Sequence, residues 1–333
     1  MIAARLTATD GHEGRIVAGE RDMRWAAVIL GAAAIAGGYG ASAEDWYPSR
    51  YGAEDTKGAT NNLSPEITKS AAGLVQTGKV YALGVVTGKV TPAYPPRWFN
   101  IVITQSNDGT GPVVAANKVT ANDDLLITYL GMGTQLDGLG HVGIDHRYYN
   151  GIRAQDFVAP DGLKKLGTHD IAPIATRGVL LDMTRHFGAD PVAPGTAFNK
   201  AEIDAAAAAA GVTIAKGDVV IFHTGHLKVE ASDPAGYIAA HPGLGKEGAE
   251  YLAGLGVVAI GADSPAVEVI PFEKAEEPFV VHQTLLAKHG VHILENINTA
   301  ELAADGATTF FFVLGQPRFQ GAVQMVVNPI AIR

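Results

Sequence analysis

Three polar side chains stand close together in an otherwise apolar stretch: Gln135, Asp137 and His141 fall in GMGTQLDGLGHV, residues 131–142, among four glycines. Gln135 and Asp137 are two positions apart, so an extended backbone would project both to one face. His141 follows four residues later, past two glycines, and such a permissive backbone can bring its imidazole back to the same point. An amide oxygen, a carboxylate and an imidazole converging from a rigid backbone suit a divalent cation or an acid–base pair. A glycine-rich turn in which Asp137 caps local amides would account for the same spacing.

A second group lies in VVHQTLLAKHGVHILEN, residues 280–296. His282 opens a helical pattern with Leu285, Leu286 and His289, and Glu295 closes the apolar run VHIL. A helix followed by a strand could bring His282 and Glu295 together. A glutamate at the inner end of such a run is costly unless it is paired, protonated or bound to a metal. His289 and His292 flank the glycine turn and read as surface or capping groups. In FHTGH, residues 222–226, His223 reads as buried and satisfied, and His226 as pocket lining or a structural hydrogen-bonding group. Trp98, Phe99, Tyr148 and Tyr149 are aromatic candidates for a pocket wall that would suit a planar or apolar small molecule, or else they belong to the core. The chain has no G-x-S-x-G elbow, no H-E-x-x-H and no P-loop, so serine, zincin and nucleotide chemistry lack their motifs. Metal-activated water remains.

The elements that must position these groups are legible as alternating strands and helices. Segments 80–86, 100–104, 124–131, 178–183, 218–225, 257–263, 291–296, 308–314 and 323–328 have the length and β-branched or aromatic content of strands. NKAEIDAAAAAAG, residues 199–211, is a helix with an asparagine cap and a glycine stop. GLGKEGAEYLAGLG, residues 243–256, repeats that format. Asp137, His223, His226, Asp263 and Glu295 all sit where strands end, which is where α/β proteins build sites. With no internal repeat or long linker, the expectation is a single α/β domain of mixed sheet with covering helices over residues 44–333.

Composition bounds the partners. A chain of 333 residues with 47% hydrophobic content and 40 glycines can bury a sizeable core. Its formal charge of −9, without a long basic block, leaves little electrostatic drive toward nucleic acid or anionic membranes. It contains no cysteine, which removes disulfides, thiolate catalysis and Cys-ligated zinc together. Residues 1–43 read as an N-terminal extension and secretory signal: Arg21 and Arg24, an apolar run from Trp25 to Ala36, then Ala41-Ser42-Ala43 before Glu44. The run is short for a membrane span, and translation starting at Met23 would give the same leader. The expectation is a periplasmic or secreted protein with no membrane span after cleavage, and a homodimer or homotetramer.

The blocks GTQLDGLGH (133–141), GVLLDM (178–183), GDVVIFHTG (217–225), PGLGKEGAEYLAGLGVVAIGADS (242–264) and HQTLLAKHGVHILENI (282–297), in this order, resemble the metal-dependent cyclase family, which includes kynurenine formamidase and isatin hydrolase. The resemblance runs from about residue 58 to 302. It implies a swivelling β/β/α fold and hydrolysis of a cyclic or acyl amide, or a related lactone. The family's H-x-G-T-H-x-D-x-P-x-H falls onto Gly131, Gly133, Thr134, Gln135, Asp137, Leu139 and His141. Two of its histidines are therefore Gly131 and Gln135 here. DGLGHV followed by Tyr149-Asn150-Gly151 is similar to a subgroup of the family. The resemblance implies Gln135, Asp137, His282 and Glu295 as ligands of one divalent ion, with His141 as general base. So oxygen-rich a shell suits manganese as well as zinc. A binding protein with a weakened centre and a cyclase or lyase acting on a polyketide-like substrate are the other functions open to such a chain.

Overall fold

The computed structural model describes residues 46–104, 113 and 115–333. The expected leader over residues 1–43 lies outside them. Nine strands form one mixed sheet in the spatial order Val80–Ala82, Ile330–Ile332, Thr309–Leu314, Ile174–Asp182, Val219–His223, Ala259–Ala262, His292–Glu295, Gln135–Asp137 and Gln324–Val326. The four strands from Ile174–Asp182 to His292–Glu295 run parallel, and the pairings outside them are antiparallel. The inner strands are continuous apolar runs because helices or loops cover both faces. Val219, Val220, Ile221 and Phe222 are all fully buried.

The helices form where the sequence places them. Lys200–Ala209 begins at Asn199, whose backbone N–H is taken by Glu202 in a capping box. Lys246–Leu255 ends at Gly256, which adopts the left-handed conformation at φ 82°. The mixed sheet with covering helices expected from the sequence is thus what the chain forms. Among the described residues, no helix is long and apolar enough to cross a membrane.

One short strand decides the site. Gln135–Asp137 lies between His292–Glu295 and Gln324–Val326, pairing Gln135 with Glu295 on one side and Asp137 with Gln324 on the other. Leu136 points the opposite way and is fully buried. The register therefore gathers Gln135, Asp137, Glu295 and Gln324 at one place. A slip of one residue would exchange them for Leu136.

Candidate metal centre

Each polar group is held by its element. His282 sits in the first turn of Val280–His282, which continues as the π-helical segment Gln283–His289, a widened turn often found at functional sites. Glu268 accepts from the backbone N–H groups of Val281 and His282 at 3.4 and 3.3 Å, capping that helix. The same carboxylate takes His282 Nδ1 in a short hydrogen bond. The imidazole is thereby aimed with Nε2 toward Glu295 Oε1 at 3.2 Å and Asp137 Oδ2 at 3.8 Å. At the other end of Glu295, Asn296 takes φ 54°, a left-handed conformation that asparagine tolerates. It is fixed there by the Tyr237 hydroxyl, 2.6 Å from its Oδ1, and by its own Nδ2 donating to Gly133 O at 2.9 Å.

The donor set fits a cation. Asp137, His282 and Glu295 are buried and offer ligand atoms within 4.8 Å of one another. Asp137 Oδ2 is buried without a hydrogen-bond partner, an arrangement costly for a carboxylate oxygen unless positive charge meets it. Glu295 carries the same message: burial and the neighbouring Asp137 charge push its carboxyl up to about 7 despite the His282 contact. Burial alone would depress His282, but Glu268 and Glu295 hold it well above its ordinary value. A carboxylate behind the histidine, here Glu268, is the support a metal-ligating imidazole takes in proteins, and Asp137 Oδ2 stands unpartnered in front of it.

Two glutamines complete the centre. Gln135 Nε2 donates to Glu295 Oε2 at 2.6 Å and to Asp137 Oδ1 at 3.3 Å. Ligation through its oxygen requires the amide to turn over. Gln324 Nε2 donates to Asp137 Oδ1 at 2.7 Å. A Cβ on Gly131 would stand 2.6 Å from Gln324 Oε1. The space beside Gly131, where the resembling family carries a histidine, is thus taken by an amide arriving from the far end of the chain.

A cavity of about 200 Å³ opens over the centre, lined by Tyr94, Arg97, His141, Val142, Pro265, Ala266, Phe279, His282 and Glu295. The His141 ring stands 6.3 Å from the His282 ring, centre to centre. Burial lowers the His141 pKa, which outweighs the opposing pull of Asp137, so the ring is neutral at pH 7 and able to take a proton.

Of the residues singled out from the sequence, the structure brings together Gln135, Asp137, His141, His282 and Glu295. His226, Trp98, Phe99 and Tyr149 do not line this cavity. His226 is buried, stacked on Tyr237 and bonded to its carbonyl at 3.0 Å. Trp98 and Phe99 open a separate ribbon, and Tyr149 is buried with its hydroxyl on Asp55 at 2.6 Å. His223 is half-buried against Thr299 at 2.6 Å. His289 is a surface partner of Glu250 at 2.6 Å. His292 departs from its expected surface or capping place: it lies inside the strand, fully buried, with Nδ1 3.1 Å from Asp137 O. His292 pairs with Ala259 in the parallel ladder, so its side chain is fixed inside the sheet rather than at the turn.

Tyr94, Arg97, Glu268 and Gln324 were not singled out from the sequence. Glu268 sits in the apolar run AVEVI and carries the signal that marked Glu295. Gln324 becomes significant only through its pairing with a strand far away in the chain.

Residues 81–269, more than half of the chain, match the Cyclase family model, described as "Putative cyclase". No curated protein matches the sequence. Among solved structures, a protein described as a novel cyclase is 26% identical, with a TM-score of 0.76 over 85% of this chain and 98% of that one. Isatin hydrolase A from Ralstonia solanacearum is 18% identical, with a TM-score of 0.59 over 81% of this chain and 99% of its own. An isatin hydrolase bound to the product analogue thioisatinate is 18% identical, with a TM-score of 0.58 over 81% and 98%. At these identities the two hydrolases speak for the shared fold.

Proposed function

This chain belongs to the Cyclase family, and from that premise we propose that it is a metal-dependent hydrolase opening the acyl C–N bond of a cyclic or acyl amide, or the C–O bond of a lactone. The observation that carries the reading is the unpartnered Asp137 Oδ2, facing His282 and Glu295 beneath a small cavity that also holds His141. Asp137, His282 and Glu295 would hold one divalent ion, manganese or zinc, with Gln135 as a fourth donor once its amide turns. When bound, such an ion supplies the Lewis acidity that polarises an acyl oxygen and acidifies a water.

The chain's residues do the rest. Glu268 would keep a proton on His282 Nδ1, so that with a cation in place it is Nε2, now turned toward Glu295, that gives up its proton and ligates. His141, neutral at pH 7, takes the proton that the attacking water loses and passes it to the leaving group. Arg97 is anchored by Nη1 on Gly131 O at 2.7 Å, and its remaining N–H groups are donors for the acyl oxygen as charge gathers on it. Phe279, Val142, Pro265 and Ala266 form an apolar wall that limits bulk water. Substrates presented in ¹⁸O-labelled water test the reaction type. A hydrolase places the label in the product carboxyl; unlabelled product would turn the reading toward cyclase or lyase chemistry.

Gln135→His restores the imidazole found in the resembling family, so metal affinity is expected to hold or rise and preference to move from manganese toward zinc. Competition between the two ions, followed by metal analysis of the dialysed protein, checks it. Unchanged selectivity would mean that position 135 does not ligate.

A homodimer built on the ribbon of Phe99–Thr104 and Asp123–Thr128 is part of the same reading, with export by the leader over residues 1–43. Ile101, Val102, Ile103, Leu125, Leu126 and Ile127 are 42–55% exposed, on both faces of the two strands. A two-stranded ribbon is marginal alone in water. Ile101 and Leu126 are directly paired, so Ile101→Lys with Leu126→Lys charges the centre of that surface. Light scattering is expected to find a dimeric wild type and a monomeric double variant. A wild-type monomer at tens of micromolar would remove the interface.

A further inference from the structure

Tyr94 lines the cavity, and what it can offer a ligand is decided by the histidine behind it. Its hydroxyl is 3.1 Å from His241 Nε2. The other ring nitrogen, His241 Nδ1, is 3.2 Å from the Pro242 carbonyl oxygen. A carbonyl oxygen can only accept, so the hydrogen of a neutral imidazole belongs on Nδ1. His241 is fully buried and burial lowers its pKa to about 3, so at neutral pH it carries that one hydrogen. Nε2 is therefore bare and accepts, and the phenol donates its single hydrogen to it. Toward the cavity the Tyr94 oxygen has lone pairs only.

Tyr94, Arg97 and Glu295 line the same cavity; burial first, and then the Glu295 charge, raise the pKa of the Tyr94 hydroxyl, while Arg97 lowers it. The oxygen thus shares the space above the metal centre with the Arg97 guanidinium. One wall group accepts and its neighbour donates. That pair complements the edge of a ring in which N–H adjoins an acyl carbonyl. The apolar side chains and the volume of about 200 Å³ suit a small flat ring.

We propose that Tyr94, wired as an acceptor by His241, is a specificity-determining residue that reads a substrate N–H beside the scissile acyl group, while Arg97 donates to the acyl oxygen. The inference rests on the hydrolase reading and narrows it: a lactam or cyclic imide is taken in preference to a lactone or an N-alkylated ring, neither of which has a hydrogen to give. Loss of a hydrogen bond of this kind is worth roughly tenfold.

Phthalimide and N-methylphthalimide are the probes, with dissociation constants measured by calorimetry and kcat/KM measured on the protein as purified. Wild type is expected to favour phthalimide by about tenfold or more in both quantities. Tyr94→Phe keeps the cavity size, so any discrimination that is purely steric survives in it; the proposal expects the preference to shrink about tenfold. His241→Leu removes the acceptor, frees the phenol hydrogen to point into the cavity, and is expected to shrink or reverse the preference while the tyrosine remains. Equal handling of the two probes by wild type, or a preference unchanged in both variants, overturns the proposal. Hydrolysis of both probes without discrimination would leave the hydrolase reading standing and remove this one. Discriminating binding without hydrolysis of either would support the acceptor role of Tyr94 and count against the hydrolase reading.

Discussion

Asp137→Ala is expected to abolish stoichiometric metal binding and activity together while the chain stays folded. Asp137 presents one oxygen to Gln324 and leaves the other bare toward His282 and Glu295. Its loss should exceed the roughly 10- to 100-fold that removal of a supporting residue costs in affinity or activity, because the anionic donor itself is gone. Folding should survive since removing one of two adjoining buried carboxylates relieves their repulsion. The Glu295 carboxyl, held up to about 7 by burial and by Asp137, should fall only by the part that Asp137 contributes in the metal-free variant, since its burial remains. Asp137→Asn keeps the volume and should lose the metal in the same way. Metal analysis beside circular dichroism checks both variants. Full occupancy in either would remove Asp137 from the centre.

His141→Ala is expected to separate proton transfer from metal binding. If the ring acts as a base, the variant keeps its metal and its substrate affinity, and kcat falls by something on the order of 10²- to 10⁴-fold. If the ring ligates instead, the same change strips metal, and excess metal restores the rate. The pH profile sharpens the distinction. Burial lowers the His141 pKa below its ordinary 6.5, so the base is fully available at neutral pH and is lost only as pH falls through that lowered value. The wild-type acid limb in kcat/KM should therefore lie below pH 6.5, and the alanine variant should lack it. A metal-replete variant turning over like wild type would take His141 out of the mechanism.

Much of this was legible in the chain because burial leaves a signature in residue type. Runs such as DVVIF and HILE are strands because β-branched and aromatic side chains fill a sheet covered on both faces. Polar residues that interrupt such runs, Glu295 above all, announce a compensating partner. The centre's remaining members come from long-range pairing, which local pattern does not carry. Gln324 reaches Asp137 across a gap of 187 residues, and nothing in VQMVV distinguishes its amide from a solvated one. Gln135–Asp137 is only three residues long, too short to show alternation, so its extended form could be expected but its neighbours in the sheet could not. Tyr94 and Arg97 lie in PAYPPR, where prolines erase any period. Their meaning comes from Gly131 and His241, which fold against them.

The account stands on a cation held by Asp137, His282 and Glu295, and one titration tests it most directly. Wild-type protein stripped of metal by a chelator is titrated with manganese or zinc while occupancy and amide hydrolysis are followed in the same samples. The account predicts one ion per chain, no turnover in the stripped protein, and a rate that rises in proportion to occupancy. A stripped protein that hydrolyses as fast as the metal-loaded one would contradict it.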